Sequence, residues 1–180
     1  MKSPVIIIIL FLMPLFASAQ SIEKSGIDEF TGKPVVYTSW AELKSKGIFP
    51  AKKSVSMKFM LRYVDGKVFF CLIWNESINR IKKDSELLLK TGKGPIITLR
   101  AVDDFSAYIN VYSYLDHTYT RYSMQAMYEG DFPILEDNDF VDKIRLNTIY
   151  GPRDFELNVN NVQSIPKAYK LIDEEIKKID

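Results

Sequence analysis

Two hydrophobic periods divide this chain. From residue 56 onward Met57, Phe59, Leu61 and Tyr63 alternate with Ser56, Lys58, Met60 and Arg62, the period-two pattern of a strand with one buried face. Asp65-Gly66 follows, and then a β-prone run from Lys67 to Trp74. Both residues of that dipeptide tolerate positive φ, so the segment predicts a β-hairpin closed by a type I′ turn. Glu86–Lys90 and Pro95–Arg100 flank Gly92-Lys93-Gly94 as a second hairpin. Phe105–Leu115 and Tyr119–Met127 make a further strand pair, with Asp116-His117-Thr118 as the turn between them. Ile144–Ile149 and Arg153–Leu157 form another pair around Tyr150-Gly151-Pro152. Upstream, Thr31-Gly32-Lys33-Pro34 predicts a turn before the β-prone Val35–Trp40, and a short helical turn is expected between Ile134 and Lys143.

The period changes at the end of the chain. Ile165, Ala168, Ile172, Ile176 and Ile179 recur every three or four residues among Lys and Glu, which places them in one stripe on a helix. Ser164 is the expected N-cap, and Pro166 is tolerated in the first turn. Consecutive hairpins plus a closing helix predict an α+β domain, mainly antiparallel: a curled sheet or half-barrel with the amphipathic C-terminal helix packed on it.

The first nineteen residues have a different logic. Lys2, the apolar run Val5–Phe16 and the small residues Ala17-Ser18-Ala19 form a secretory signal pattern. The expected division is therefore a signal peptide, 1–19, and a single globular domain, 20–180, located in the periplasm or secreted. The apolar run falls short of the roughly 18 residues of a transmembrane span. Gln20 and Ser21, not a cysteine, stand at the cleavage site, which argues against a lipid anchor. A mature chain of about 160 residues is long enough to bury its own core. Without Lys2 it carries 23 basic and 23 acidic residues, so the basic surplus of a nucleic-acid binder or membrane-surface protein is missing.

Chemistry-bearing residues are sparse. Cys71 is the one cysteine, so no intramolecular disulfide can form; it sits within Val68–Ile73 and is expected to be buried and structural. One His and one Cys cannot fill a zinc site. Glu136-Asp137-Asn138-Asp139 with Asp142 lacks the Gly and terminal Glu of a calcium loop and is better explained as an acidic helix start. Gly92-Lys93-Gly94 lacks the strand-to-helix context of a phosphate loop. Asp103, Asp104, Asp116, His117 and Arg121 are the nearest approach to an acid–base set. An extended strand of about eleven residues at ~3.3 Å each would hold the two ends of this set roughly 35 Å apart. No catalytic residue, metal or cofactor is expected.

Three motifs, Asp28-x-Phe30-Thr31-Gly32 leading to Thr38-Ser39-Trp40, Lys83-x-Ser85-x-Leu87-x-Leu89-Lys90-x-Gly92 leading to Ile96–Leu99, and Ile144-Arg145 leading to Asp154-Phe155-Glu156, span most of the mature chain. In these the chain resembles a group of uncharacterised secreted proteins from Bacteroidetes-type bacteria. That resemblance brings no activity and no functional residues.

The remaining feature is a row of rings. Tyr108, Asn110, Tyr112 and Tyr114 share one side of their strand, and Ile109, Val111 and Leu115 share the other. If the aliphatic side faces the core, three tyrosines and an amide line an open face suited to recognition; the competing expectation is a strand buried on both sides. The sequence thus favours an exported, non-catalytic domain that binds a small ligand or an envelope protein through this tyrosine-rich face. Its competitors are an envelope hydrolase using His117 with a nearby Asp, and a structural module of an envelope assembly.

Overall fold

The computed structural model describes residues 20–46, 56–75, 79–92, 94–114, 117–133 and 139–179, with side chains at 56, 110, 112–114 and 117–121 excluded. The signal segment, Leu115-Asp116 and most of the acidic cluster (134–138) therefore lie outside the described residues. In chain order the elements are β1 (Ile22–Ile27), β2 (Pro34–Thr38), β3 (Ala41–Lys44), β4 (Ser56–Val64), β5 (Lys67–Trp74), β6 (Arg80–Ile81), β7 (Glu86–Thr91), β8 (Ile96–Ala101), β9 (Phe105–Ser106), β10 (Tyr108–Tyr114), β11 (His117–Glu129), β12 (Val141–Thr148), β13 (Gly151–Glu156) and α1 (Ser164–Ile179).

Every expected strand pair is present and antiparallel: β4–β5, β7–β8, β10–β11 and β12–β13. Asp65 and Gly66 have φ of 51° and 80°, the two left-handed positions that a type I′ turn requires. The main path runs β1-β2-β4-β5-β11-β8-β7-β12-β13. β11 joins the two halves: Met124–Glu129 pair with β5, and Tyr128 and Glu129 also pair with β8. The sheet is not closed. Among the described residues one bridge, Ser45 to Leu157, ties the β3 edge to the end of β13, helped by Lys46 N–H donating to Glu156 O (2.7 Å) and Asn158 N–H donating to Lys44 O (2.8 Å).

Alternation puts one face of nearly every strand into a single core. Met57, Phe59 and Leu61 of β4, Phe70, Leu72 and Trp74 of β5, Leu87 and Leu89 of β7, and Ile144 and Leu146 of β12 are all buried there. Removing each large apolar side chain from water contributes roughly 1.5–3 kcal/mol. Cys71 is buried as expected; desolvation pushes its thiol up to about 11, so it stays protonated and non-nucleophilic at neutral pH.

Helix α1 lies across β1, β2 and β4. Ile165, Pro166, Ala168 and Ile172 are buried, while Ile176 and Ile179 are partly buried against the same core. A ladder of rings links helix to sheet: Tyr169 stacks on Phe132 (5.4 Å), Phe132 on Phe70 (6.3 Å) and Phe70 on Phe59 (5.5 Å). The first i→i−4 bond runs from Lys167 N–H to Gln163 O (3.0 Å), so Gln163 occupies the cap position expected for Ser164. No helix among the described residues is long and apolar enough to cross a membrane.

Three further local expectations change. Val141–Lys143 opens β12 and residues 139–140 are irregular, so the helical turn expected between Ile134 and Lys143 is absent from 139–143, and its first part lies outside the described residues. Gly151 pairs with Thr148, which moves the last turn to Ile149-Tyr150; Gly151 takes φ of 103° and Pro152 sits on the outermost strand, where a missing N–H is tolerated. His117 is not a turn residue but begins β11, opposite Tyr114.

Candidate functional site

The β10–β11 pair leaves the sheet as a ribbon. β5 ends at Trp74, opposite Met124, so from Ser123 back to His117 β11 has β10 as its partner strand among the described residues. Seven residue pairs at about 3.3 Å each make a projection of roughly 20 Å. At its base the chain is pinned by β9, which pairs with β6, and by Ala107 N–H donating to Asn79 O (3.1 Å).

Coverage of this ribbon differs from the condition set by the sequence. Ile109 and Val111 do not face the core: they are 58% and 63% exposed, and Tyr122, the cross-strand partner of Ile109, is exposed with them. Tyr108, on the other side, is 42% exposed, although Ser123 opposite it is buried. The physical reason is the length of β5, because a strand that outruns its neighbours has no layer to pack against. Backbone register sets Asn110 opposite Arg121, Tyr112 opposite Tyr119 and Tyr114 opposite His117. Two more exposed apolar residues, Ile149 and Tyr150, occupy the β12–β13 turn, where Ile149 N–H donates to Arg80 O (3.1 Å) beside β9, near the base of the ribbon.

Two acids of the acid–base set, Asp103 and Asp104, lie at the other end of the ribbon, while Asp116 falls outside the described residues. Asp104 accepts a hydrogen bond from Lys83 N–H (2.7 Å) and faces Lys82 at 3.9 Å; Asp103 accepts from Asp104 N–H (2.7 Å). Both are turn-forming partners before β9, whereas the His117 backbone stands at the distal turn. The Gly92-Lys93-Gly94 turn also has a packing explanation. A Cβ on Gly92 would stand 2.0 Å from the Phe140 ring, and Gly92 N–H donates to Phe140 O (3.0 Å).

The quoted motifs acquire structural roles. The Asp28 carboxylate accepts from Thr31 N–H (2.9 Å), Thr31 Oγ1 (2.9 Å) and Phe30 N–H (3.2 Å), which holds its pKa below the ordinary 3.8 and shapes the β1–β2 turn. Thr38 marks the break between β2 and β3, two pieces that pair with the same strand, β4. Its buried hydroxyl accepts from Leu61 N–H (3.0 Å) and from Gln20 Nε2 (2.8 Å).

That break opens a groove that sequence reasoning missed. It has a volume of about 970 Å³ and lies between Trp40 and Ala41, Lys58 of β4, the turn Asn158–Asn161 and the first half of α1. A smaller cleft of about 470 Å³ lies between Lys67, Arg100, Glu129 and Phe132, and its two cations are both paired: Lys67 with Glu129 (3.1 Å), and Arg100 with Glu86 (3.0 Å).

No protein-family model matches the chain, and neither a curated protein nor a solved structure does.

Proposed function

We propose that this chain is an exported, non-catalytic binding domain that engages an envelope partner protein through the β10–β11 ribbon. The carrying observation is the exposure of Ile109 and Val111 on one face and Tyr108 on the other, on a two-stranded projection. Two-stranded ribbons are marginal by themselves, and apolar side chains held in water on both faces favour a surface that covers them. Tyrosine suits such a surface because its ring buries a large area while its hydroxyl stays hydrated.

Export rests on the Lys2 to Ala19 pattern. Gln20 is consistent with cleavage before it, since its side-chain amide donates to Thr38 Oγ1 and to Ser39 O (3.0 Å) and so belongs to the fold. The resemblance to secreted Bacteroidetes-type proteins points the same way.

The test is a photo-crosslinking residue placed at Val111 in the native envelope, with one at exposed Thr98 on β8 as control. A discrete adduct at Val111 that is absent at Thr98, and that disappears when Ile109 and Tyr108 are changed to Ser, is the expected result. No adduct at Val111, or equal adducts at both positions, contradicts the proposal.

A further inference from the structure

We infer that the Trp40 groove is a second binding site, independent of the ribbon, and that its ligand is an acidic saccharide. Three features meet there. First, Trp40 is only partly buried and lines the groove, whereas the other tryptophan, Trp74, is 2% exposed and belongs to the core. A partly exposed indole offers a flat apolar platform beside polar groups, the surface that the faces of pyranose rings pack against.

Second, the charge is one-sided. Lys44, Lys58, Lys167 and Lys170 line the groove with two acids, Glu42 and Glu174. Lys44 pairs with Glu42 (3.2 Å), while Lys58 and Lys167 form no ion pair among the described residues and are exposed. In a mature chain with equal numbers of acids and bases, this local surplus of ammonium groups selects an anion.

Third, the wall is held in shape. Asn161 Nδ2 donates to Glu42 O (3.0 Å) and its Oδ1 accepts from Lys44 N–H (3.2 Å), while Asn158 N–H donates to Lys44 O (2.8 Å). These bonds fasten the Asn158–Asn161 turn to β3, and α1 follows directly. Gln20, also in the lining, is held by its side-chain amide donating to Thr38 Oγ1 (2.8 Å) and Ser39 O (3.0 Å). An aromatic platform, surplus ammonium groups and amide-rich walls together match carboxylated or sulfated sugars better than a bare anion or a neutral glycan.

Tryptophan emission reads the site, because Trp74 is shielded and Trp40 is partly exposed. The probes are tetragalacturonate, a sulfated chondroitin tetrasaccharide, neutral cellotetraose and sulfate ion alone. The inference expects a saturable emission change with one or both acidic tetrasaccharides and none with cellotetraose or sulfate; which acidic probe binds tells carboxylate from sulfate recognition. The double variant Lys58→Glu/Lys167→Glu should keep its denaturation midpoint and lose affinity on the order of tenfold. No saturable change with either acidic probe, equal binding of cellotetraose or of sulfate alone, or unchanged affinity in the double variant would overturn it. None of these outcomes depends on the ribbon or on its partner.

Discussion

Helix α1 and the β10–β11 ribbon carry comparable apolar patterns and meet opposite fates. The helix stripe Ile165, Ala168 and Ile172 is fully buried, while Ile109 and Val111, set at the right period for one strand face, stand in water. Periodicity states which residues share a face. Whether that face is covered is decided by what packs over it, and the ribbon runs on past Trp74, where β5 ends, away from the sheet whose inner face makes the core. The helix instead lands across β1, β2 and β4, whose apolar side chains receive it.

The largest expected effect lies on the covered side of this comparison. Ile172→Ala should destabilise the fold by about 2–5 kcal/mol in urea or guanidinium titrations, as at other packed aliphatic sites. Ile176→Ala should cost less, because Ile176 is only partly buried. An unchanged midpoint for Ile172→Ala would place the helix off the sheet and erase the contrast.

A second variant sharpens it at the strand break. Thr38→Val keeps the side-chain shape but removes the acceptor of Leu61 N–H, leaving a buried donor unpaired at a cost of about 1–3 kcal/mol. It should also widen the β2–β3 gap, which amide hydrogen exchange at Leu61 would register. If exchange there does not accelerate, the Thr38 bond is not what holds the break.

A smaller effect is expected at the exposed pair on the β12–β13 hairpin. The Asp154 carboxylate accepts two bonds from the Arg145 guanidinium (2.6 and 2.8 Å), and its pKa is thereby lowered from the ordinary 3.8. A lowered folded pKa means that the stabilising contribution is present above 3.8 and is lost as pH falls through the folded value. Asp154→Asn should therefore lower the denaturation midpoint slightly at neutral pH, and the gap from the unaltered chain should narrow below 3.8. A gap that widens on acidification would reverse the assignment.

How much of this was legible in the sequence follows from the same distinction. The Asp65-Gly66 hairpin and the C-terminal stripe were readable because both signals are local: two left-handed positions in one case, a three-and-four spacing in the other. Tyr150-Gly151-Pro152 misplaced a turn by one residue, since Gly and Pro usually punctuate turns but here begin an outermost strand. The Trp40 groove left no local signal at all. Trp40, Lys58, Asn158 and Lys167 are far apart in the chain and are brought together by the return of the chain after β13 to the β3 edge. The tyrosine row was visible in the sequence, but the exposure of Tyr108, Ile109 and Val111 depended on where another strand ended.

The central claim is that the ribbon's apolar side chains contribute to binding and not to the stability of the free domain. The direct measurement is the denaturation midpoint of Ile109→Ser/Val111→Ser set beside that of Ile172→Ala. The double ribbon variant should stay within about 0.5 kcal/mol of the unaltered chain, as exposed substitutions do, while Ile172→Ala falls by several times as much. A ribbon variant as damaging as Ile172→Ala would mean that Ile109 and Val111 are covered in the folded protein, and would contradict the account.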